Sequence, residues 1–236
     1  MKKNIFFAAM LAFTSLGLSS CGDKETEGLS RITYYPTIEI QGDDPYVMAK
    51  GSTWADPGYV SIMGGEDVSD KVTVKGAPDG TTSGDFTITY TTTKNEDGFD
   101  ASATRRVIVA DKADAVEGLY WLDASSYRLR QGAKVAYGAS YPIAVIKRAD
   151  GNYHVDDMLG GWYYYRAGYG VRYAMEAVIS VAADGTVSLL ASQVPGWGDS
   201  HDDFTGTFDA ATGTFTLNTV YAGMDFVQTW VKQVIE

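Results

Sequence analysis

Cysteine, histidine and proline are scarce here: one, two and six among 236 residues. A lone thiol, Cys21, excludes any intramolecular disulfide. Neither histidine, His154 nor His201, stands in a His-Glu-x-x-His spacing, and the polar run Asp199-Ser200-His201-Asp202-Asp203 lacks the turning glycine of an EF-hand loop. That run reads as a solvated loop, with a metal ligand set as the sharper alternative. No Gly-x-Ser-x-Gly elbow, phosphate loop or dinucleotide fingerprint occurs. Thirty acidic residues make some glycosidase-like carboxylate pair inevitable by chance, so their number carries no weight. The expectation is a non-enzymatic protein with no catalytic residues, no metal and no cofactor.

Basic residues are also outnumbered, 19 against 30 acidic, for a net charge of −11. Both lysines of the amino-terminal segment, Lys2 and Lys3, precede Cys21; without that segment 17 basic residues face 30 acidic ones, a net charge near −13. An acidic surface repels phosphate backbones and anionic headgroups, which excludes nucleic acid as a partner.

What is present begins with a three-part amino terminus. Lys2 and Lys3 form a positive region, Ile5 to Leu18 an apolar core, and Leu18-Ser19-Ser20-Cys21 a small-residue stretch before the cysteine. The core is shorter than the ~20 apolar residues of a spanning helix, as in a cleaved leader. The alternative is an ordinary leader with an incidental cysteine, or an uncleaved anchor. The motif resembles the lipobox of bacterial lipoproteins, which implies residues 1–20 as signal peptide and lipidation of Cys21, with a palmitate-type chain among the acyl groups. Two or three chains make such an anchor stable where one does not. Residues 22–28, Gly-Asp-Lys-Glu-Thr-Glu-Gly, begin an acidic tether over 21–33. They are similar to the signal that places lipoproteins of gut Bacteroidales on the outer face of the outer membrane.

Downstream, residues 34–111 show the period of strands. Phe86, Ile88 and Tyr90 alternate with threonines, Arg106 to Val109 form a further strand, and Asn95-Glu96-Asp97-Gly98 reads as the turn between them. Ala55-Asp56-Pro57-Gly58-Tyr59, Asp67-Val68-Ser69, Gly84 to Tyr90 and Ala103 to Val109 resemble the immunoglobulin-like repeats of bacterial surface proteins. That resemblance implies a seven-stranded sandwich used as a spacer or stalk. A linker, 112–116, leads to a second β-rich domain over 117–236. Turn signals at Asp150-Gly151, Asp184-Gly185 and Thr212-Gly213 separate apolar runs, predicting about eight antiparallel strands in a barrel-like or strongly curved sheet. The fold class is therefore all-β. Gly118-Leu119-Tyr120, Asp150 to Tyr153, Asp157 to Tyr163 and Asp184 to Val187 are similar to the carboxyl-terminal domain of two-domain lipoproteins of gut Bacteroidales. Such proteins often accompany starch-utilisation-type uptake systems, which implies a glycan ligand and an outer-membrane transporter as partners.

The run from Gly160 to Tyr173 holds one tryptophan and five tyrosines in fourteen positions. Read as a strand, it puts Trp162 and Tyr164 on one face and Tyr163 and Tyr165 on the other. Rings offer an apolar plate with a polar edge, suited to sugar stacking, and Arg166 and Arg172 could donate beside them. Strands also favour aromatics for packing alone, so core use stays open. Trp197, between Gly196 and Gly198, either tucks over a barrel mouth or meets ligand. Trp162, Tyr164, Tyr169 and Trp197 are the candidate glycan contacts. An adhesin-like subunit that docks a protein, and a hydrolase with an unrecognised carboxylate pair, are the competing functions.

Overall fold

The computed structural model describes residues 31–235. The leader and the expected lipid attachment at Cys21 lie outside the described residues.

Seven strands build the first domain in two sheets. One sheet holds β1 (Thr37–Ile40), β3 (Tyr59–Met63) and β4 (Glu66–Asp67); the other orders β2 (Tyr46–Ala49), β7 (Ser102–Ala110), β6 (Gly84–Thr91) and β5 (Thr73–Lys75). β2 runs parallel to β7 and every other pairing is antiparallel. Ile88 and Tyr90 of β6 and Val107 and Val109 of β7 meet in the sandwich core with Met48. Asn95 shapes the predicted β6–β7 turn, its Oδ1 accepting from Asp97 N and Phe99 N at 3.0 and 2.9 Å. Arg105 is the buried exception to the apolar core. Its guanidinium donates to the carbonyls of Asp43 (2.7 Å), Gln41 (2.6 Å) and Gly58 (3.1 Å), so one side chain ties three loop positions. Asp56 of the Ala-Asp-Pro-Gly-Tyr motif accepts from Tyr90 Oη at 2.6 Å beside it. A buried charge needs such a full set of partners.

The second domain contains β8 (Gly118–Leu122), β9 (Tyr127–Arg130), β10 (Ala133–Ala136), β11 (Pro142–Lys147), β12 (Tyr153–Val155), β13 (Glu176–Val181), β14 (Thr186–Gln193), β15 (Asp203–Asp209), β16 (Thr214–Tyr221) and β17 (Met224–Lys232). Eight of these, β8 and β11 to β17, close an antiparallel barrel because Trp230–Lys232 of β17 pair with β8. The earlier residues of β17, Asp225–Val227, pair with β9, which with β10 forms a hairpin outside the ring. Such a ring is just wide enough for side chains to fill. Tyr120, Leu122, Ile143, Val145, Phe215, Leu217, Phe226 and Trp230 fill it.

β14 and β15 pair only through Thr186 and Val187, so the barrel wall splays where the 194–202 loop crosses it. β8 and β11 read as unbroken apolar runs because both of their faces are covered. Tyr120 and Ile143 point into the barrel, while Leu119 and Ala144 pack with Ile108 of β7 and half-buried Val47 and Trp121. Sandwich and barrel thus share an apolar interface. Residues 112–116 are not a loose connection. Asp114 Oδ1 accepts from Val116 N and Glu117 N at 2.9 and 3.0 Å, and Lys232 Nζ donates to the Asp114 and Ala115 carbonyls, each at 2.9 Å.

Candidate ligand-binding site

The aromatic run does not form a strand. After β12 the chain turns into the barrel end, burying Met158 and Leu159, and then makes a π-helical turn over Trp162–Arg166. Arg166 N and Ala167 N donate to the carbonyls of Gly161 and Trp162, each at 3.0 Å, which is an i to i+5 pattern. Two features impose this path. Gly160 and Gly161 both have positive φ, +60° and +83°, and a Cβ on Gly161 would stand 2.7 Å from Tyr141. Asp157, buried beneath the turn, accepts from Leu159 N (2.9 Å), Gly161 N (3.0 Å) and Met175 N (3.1 Å).

A turn sends successive side chains to different quarters, not to two alternating faces. Trp162 is 3% exposed and packs edge-on against Tyr137 and Phe226, with the guanidinium carbons of Arg128 and Arg166 at 4.6 and 4.2 Å from its ring centroid. It is a core side chain and offers no face to a ligand, a correction to its place among the expected contacts. Tyr164 stacks on Tyr165, centroids 3.8 Å apart. Both line a separate groove of about 370 Å³ between the domains, with Arg106, Trp121, Pro45 and Pro142. Trp162 and Tyr164, expected on a shared face, part company.

Tyr169 and Trp197 do come together. They are 55% and 45% exposed, with centroids 6.2 Å apart. Trp197 meets Tyr163 and Tyr173 edge-on, at 4.8 Å to each, and lies at 23° to the Tyr221 ring. Tyr169 stacks on Tyr163. Gly196 is required for this packing, since its Cβ would meet the Tyr173 ring at 2.6 Å. Trp197 therefore packs one side on the Tyr163, Tyr173 and Tyr221 rings and leaves nearly half of its surface to solvent. Asp199 accepts from Tyr221 Oη at 2.7 Å and holds that ring in place; burial, with Asp199 beside it, keeps the hydroxyl protonated well above the usual range.

The histidines lie in ordinary surroundings. His154 is a strand residue of β12, between Ile146 and Val178 of its neighbours. His201 Nδ1 lies 2.8 Å from Ser192 Oγ, tying the 194–202 loop to β14. Among the described residues no group of three His, Cys, Asp or Glu side chains is placed to hold a metal ion.

Comparisons with known proteins agree with this architecture. Residues 38–109 match the family of bacterial surface protein Ig-like domains. Residues 109–232, over half of the chain, match a family of C-terminal domains. Among solved structures, the lipoprotein BT2262 from Bacteroides thetaiotaomicron is 39% identical, with a TM-score of 0.75 over 84% of this chain and 100% of that one. The chain belongs to this family of two-domain lipoproteins. No curated protein matches it. In this lipoprotein the exposed pair Tyr169 and Trp197 rests on Tyr163, Tyr173 and Tyr221. These last three are not among the ligand contacts that the sequence predicts. Tyr163 and Tyr173 lay within the aromatic run, but only the turn brings them under Trp197. Tyr221 is 24 residues beyond Trp197 and carries no local signal.

Proposed function

We propose that this lipoprotein is a non-enzymatic, lipid-anchored protein of the outer membrane's outer face that captures glycan for a polysaccharide-uptake system. The observation that carries the reading is the half-exposed pair Tyr169 and Trp197, braced by the rings beneath them. Sugars present C–H faces to such plates and hydroxyls to their polar edges. Rings fixed in advance lose little conformational freedom on binding. In this reading the immunoglobulin-like domain is the spacer that lifts the barrel from the membrane, and an outer-membrane transporter is the partner.

Affinity gels containing soluble polysaccharides test it. The wild type should be retarded by at least one glycan. Tyr169→Ala and Trp197→Ala should migrate as in glycan-free gels while keeping their melting temperatures within a few degrees. Unchanged mobility of the wild type across all glycans tried would remove the reading. Exposed Trp and Tyr are also frequent in protein interfaces. Capture of an outer-membrane transporter that depends on Trp197 but not on glycan would favour the adhesin-like alternative.

A further inference from the structure

Arginine at the aromatic end of the barrel runs against the charge of the molecule. Arg105, Arg106 and Arg148 each have a carboxylate within salt-bridge distance. Arg128, Arg130, Arg166 and Arg172 have none among the described residues, in a chain with 30 acidic side chains to choose from. Arg128 and Arg166 both lie against Trp162. Arg166 Nε donates to the Tyr137 carbonyl at 3.1 Å, whereas the Nε of Arg128 is buried without an acceptor. Arg130 is two residues further along β9 and so shares the Arg128 face of that strand. Both guanidinium groups act on the Tyr163 hydroxyl, drawing its pKa down against the burial that raises it. Tyr163 is the ring that carries Tyr169 and Trp197.

Unpaired guanidinium donors thus adjoin exposed aromatic plates. Planar guanidinium groups recognise carboxylate and sulfate oxygens through paired hydrogen bonds. Asp199 also acts on Tyr163, but it is engaged by the Tyr221 hydroxyl and forms no salt bridge with these arginines, so their guanidinium groups keep donors for an incoming anion. We propose that the aromatic end of the barrel takes an anionic glycan, with a uronate carboxylate or sulfate ester held by Arg128 and Arg130 and a neighbouring sugar ring lying on Tyr169 and Trp197. This rests on the glycan-capture reading and names the ligand class for the same site.

The test is titration calorimetry on the chain from residue 22 onward. The probes are polygalacturonate, chondroitin sulfate, the neutral glycans dextran and pullulan, and polyglutamate as a polyanion without sugar. Either anionic glycan should bind at least tenfold more tightly than every other probe, and less tightly as salt is raised. Arg130→Gln should lose tenfold or more without change in melting temperature, because Arg130 is exposed. Arg130→Lys should recover part of the loss, and Arg128→Gln should lose as much as Arg130→Gln. Equal binding of polyglutamate would overturn the proposal by showing charge alone at work. Preference for dextran or pullulan, or indifference to Arg130→Gln, would overturn it while leaving glycan capture standing. Silence from every glycan would overturn both.

Discussion

Asp157 is 1% exposed, and among the described residues it meets no cation and accepts from three backbone N–H groups. Asp157→Asn would turn an amide N–H₂ toward at least one of those donors. Leaving a buried donor unmet costs about 1–3 kcal/mol, and urea unfolding should show a loss of that size. The carboxyl also gives a pH signature. Burial pushes its pKa up to about 7, against the downward pull of the N–H groups. An unfolded aspartate titrates near pH 3.9, so between about pH 4 and pH 7 the folded state holds a proton that the unfolded state has lost. Stability from this group is therefore full below that window, falls as pH rises through it, and is level above. Asparagine has no such term. The stability gap between wild type and Asp157→Asn should narrow by about 1 kcal/mol or more from about pH 4.5 to about pH 7.5. A gap that widens instead would mean that the donors outweigh burial.

At the scale of elements, the aromatic turn joins a buried foundation to an exposed platform, and the two should respond differently to truncation. Trp162→Ala empties a core site and should cost about 3–5 kcal/mol. Tyr169→Ala removes a largely exposed ring and should cost less than about 1 kcal/mol; thermal denaturation of the two variants separates them. The difference also shows where sequence reading works and where it stops. Strands such as β6 and β16 declare themselves because one face meets the core, so apolar residues recur at every second place. Their turns declare themselves through Asp-Gly and Thr-Gly, with Gly151, Gly185 and Gly213 all at positive φ. Gly160–Tyr173 misleads because tyrosine and tryptophan favour strands whatever their neighbours do. The contrary signal was the glycines: positions 160, 161, 168 and 170 all take positive φ, which a strand interior does not use. Nothing local marks Arg105, Glu117 or Asp157 as buried among so many exposed charges. Their partners come from distant segments, and only the closed fold brings them together.

Across the whole molecule, the junction between sandwich and barrel decides whether the chain behaves as one body or two. Glu117 is fully buried at that junction; it accepts from Ser83 Oγ and Asp111 N on the sandwich side and from Lys147 N of β11, each at 3.0 Å. Arg106 of β7 crosses in the other direction, donating to Asp156 at 2.6 Å while also holding Asp85. Asp156 in turn accepts from Ala144 N at 2.8 Å, behind the Ile108, Leu119 and Ala144 contact. These polar ties accompany an apolar patch drawn from both domains, so neither domain can unfold without exposing surface on the other. The wild type should accordingly melt in a single calorimetric transition. Arg106→Ala would leave the partly buried Asp156 without its cation, a loss of about 1.5–3 kcal/mol for a charged hydrogen bond. Because the cost falls on the interface rather than on either interior, the variant should melt in two resolved steps. One transition shifted as a block to lower temperature would instead mean that the apolar patch alone couples the domains, with the ion pair adding stability but not cooperativity.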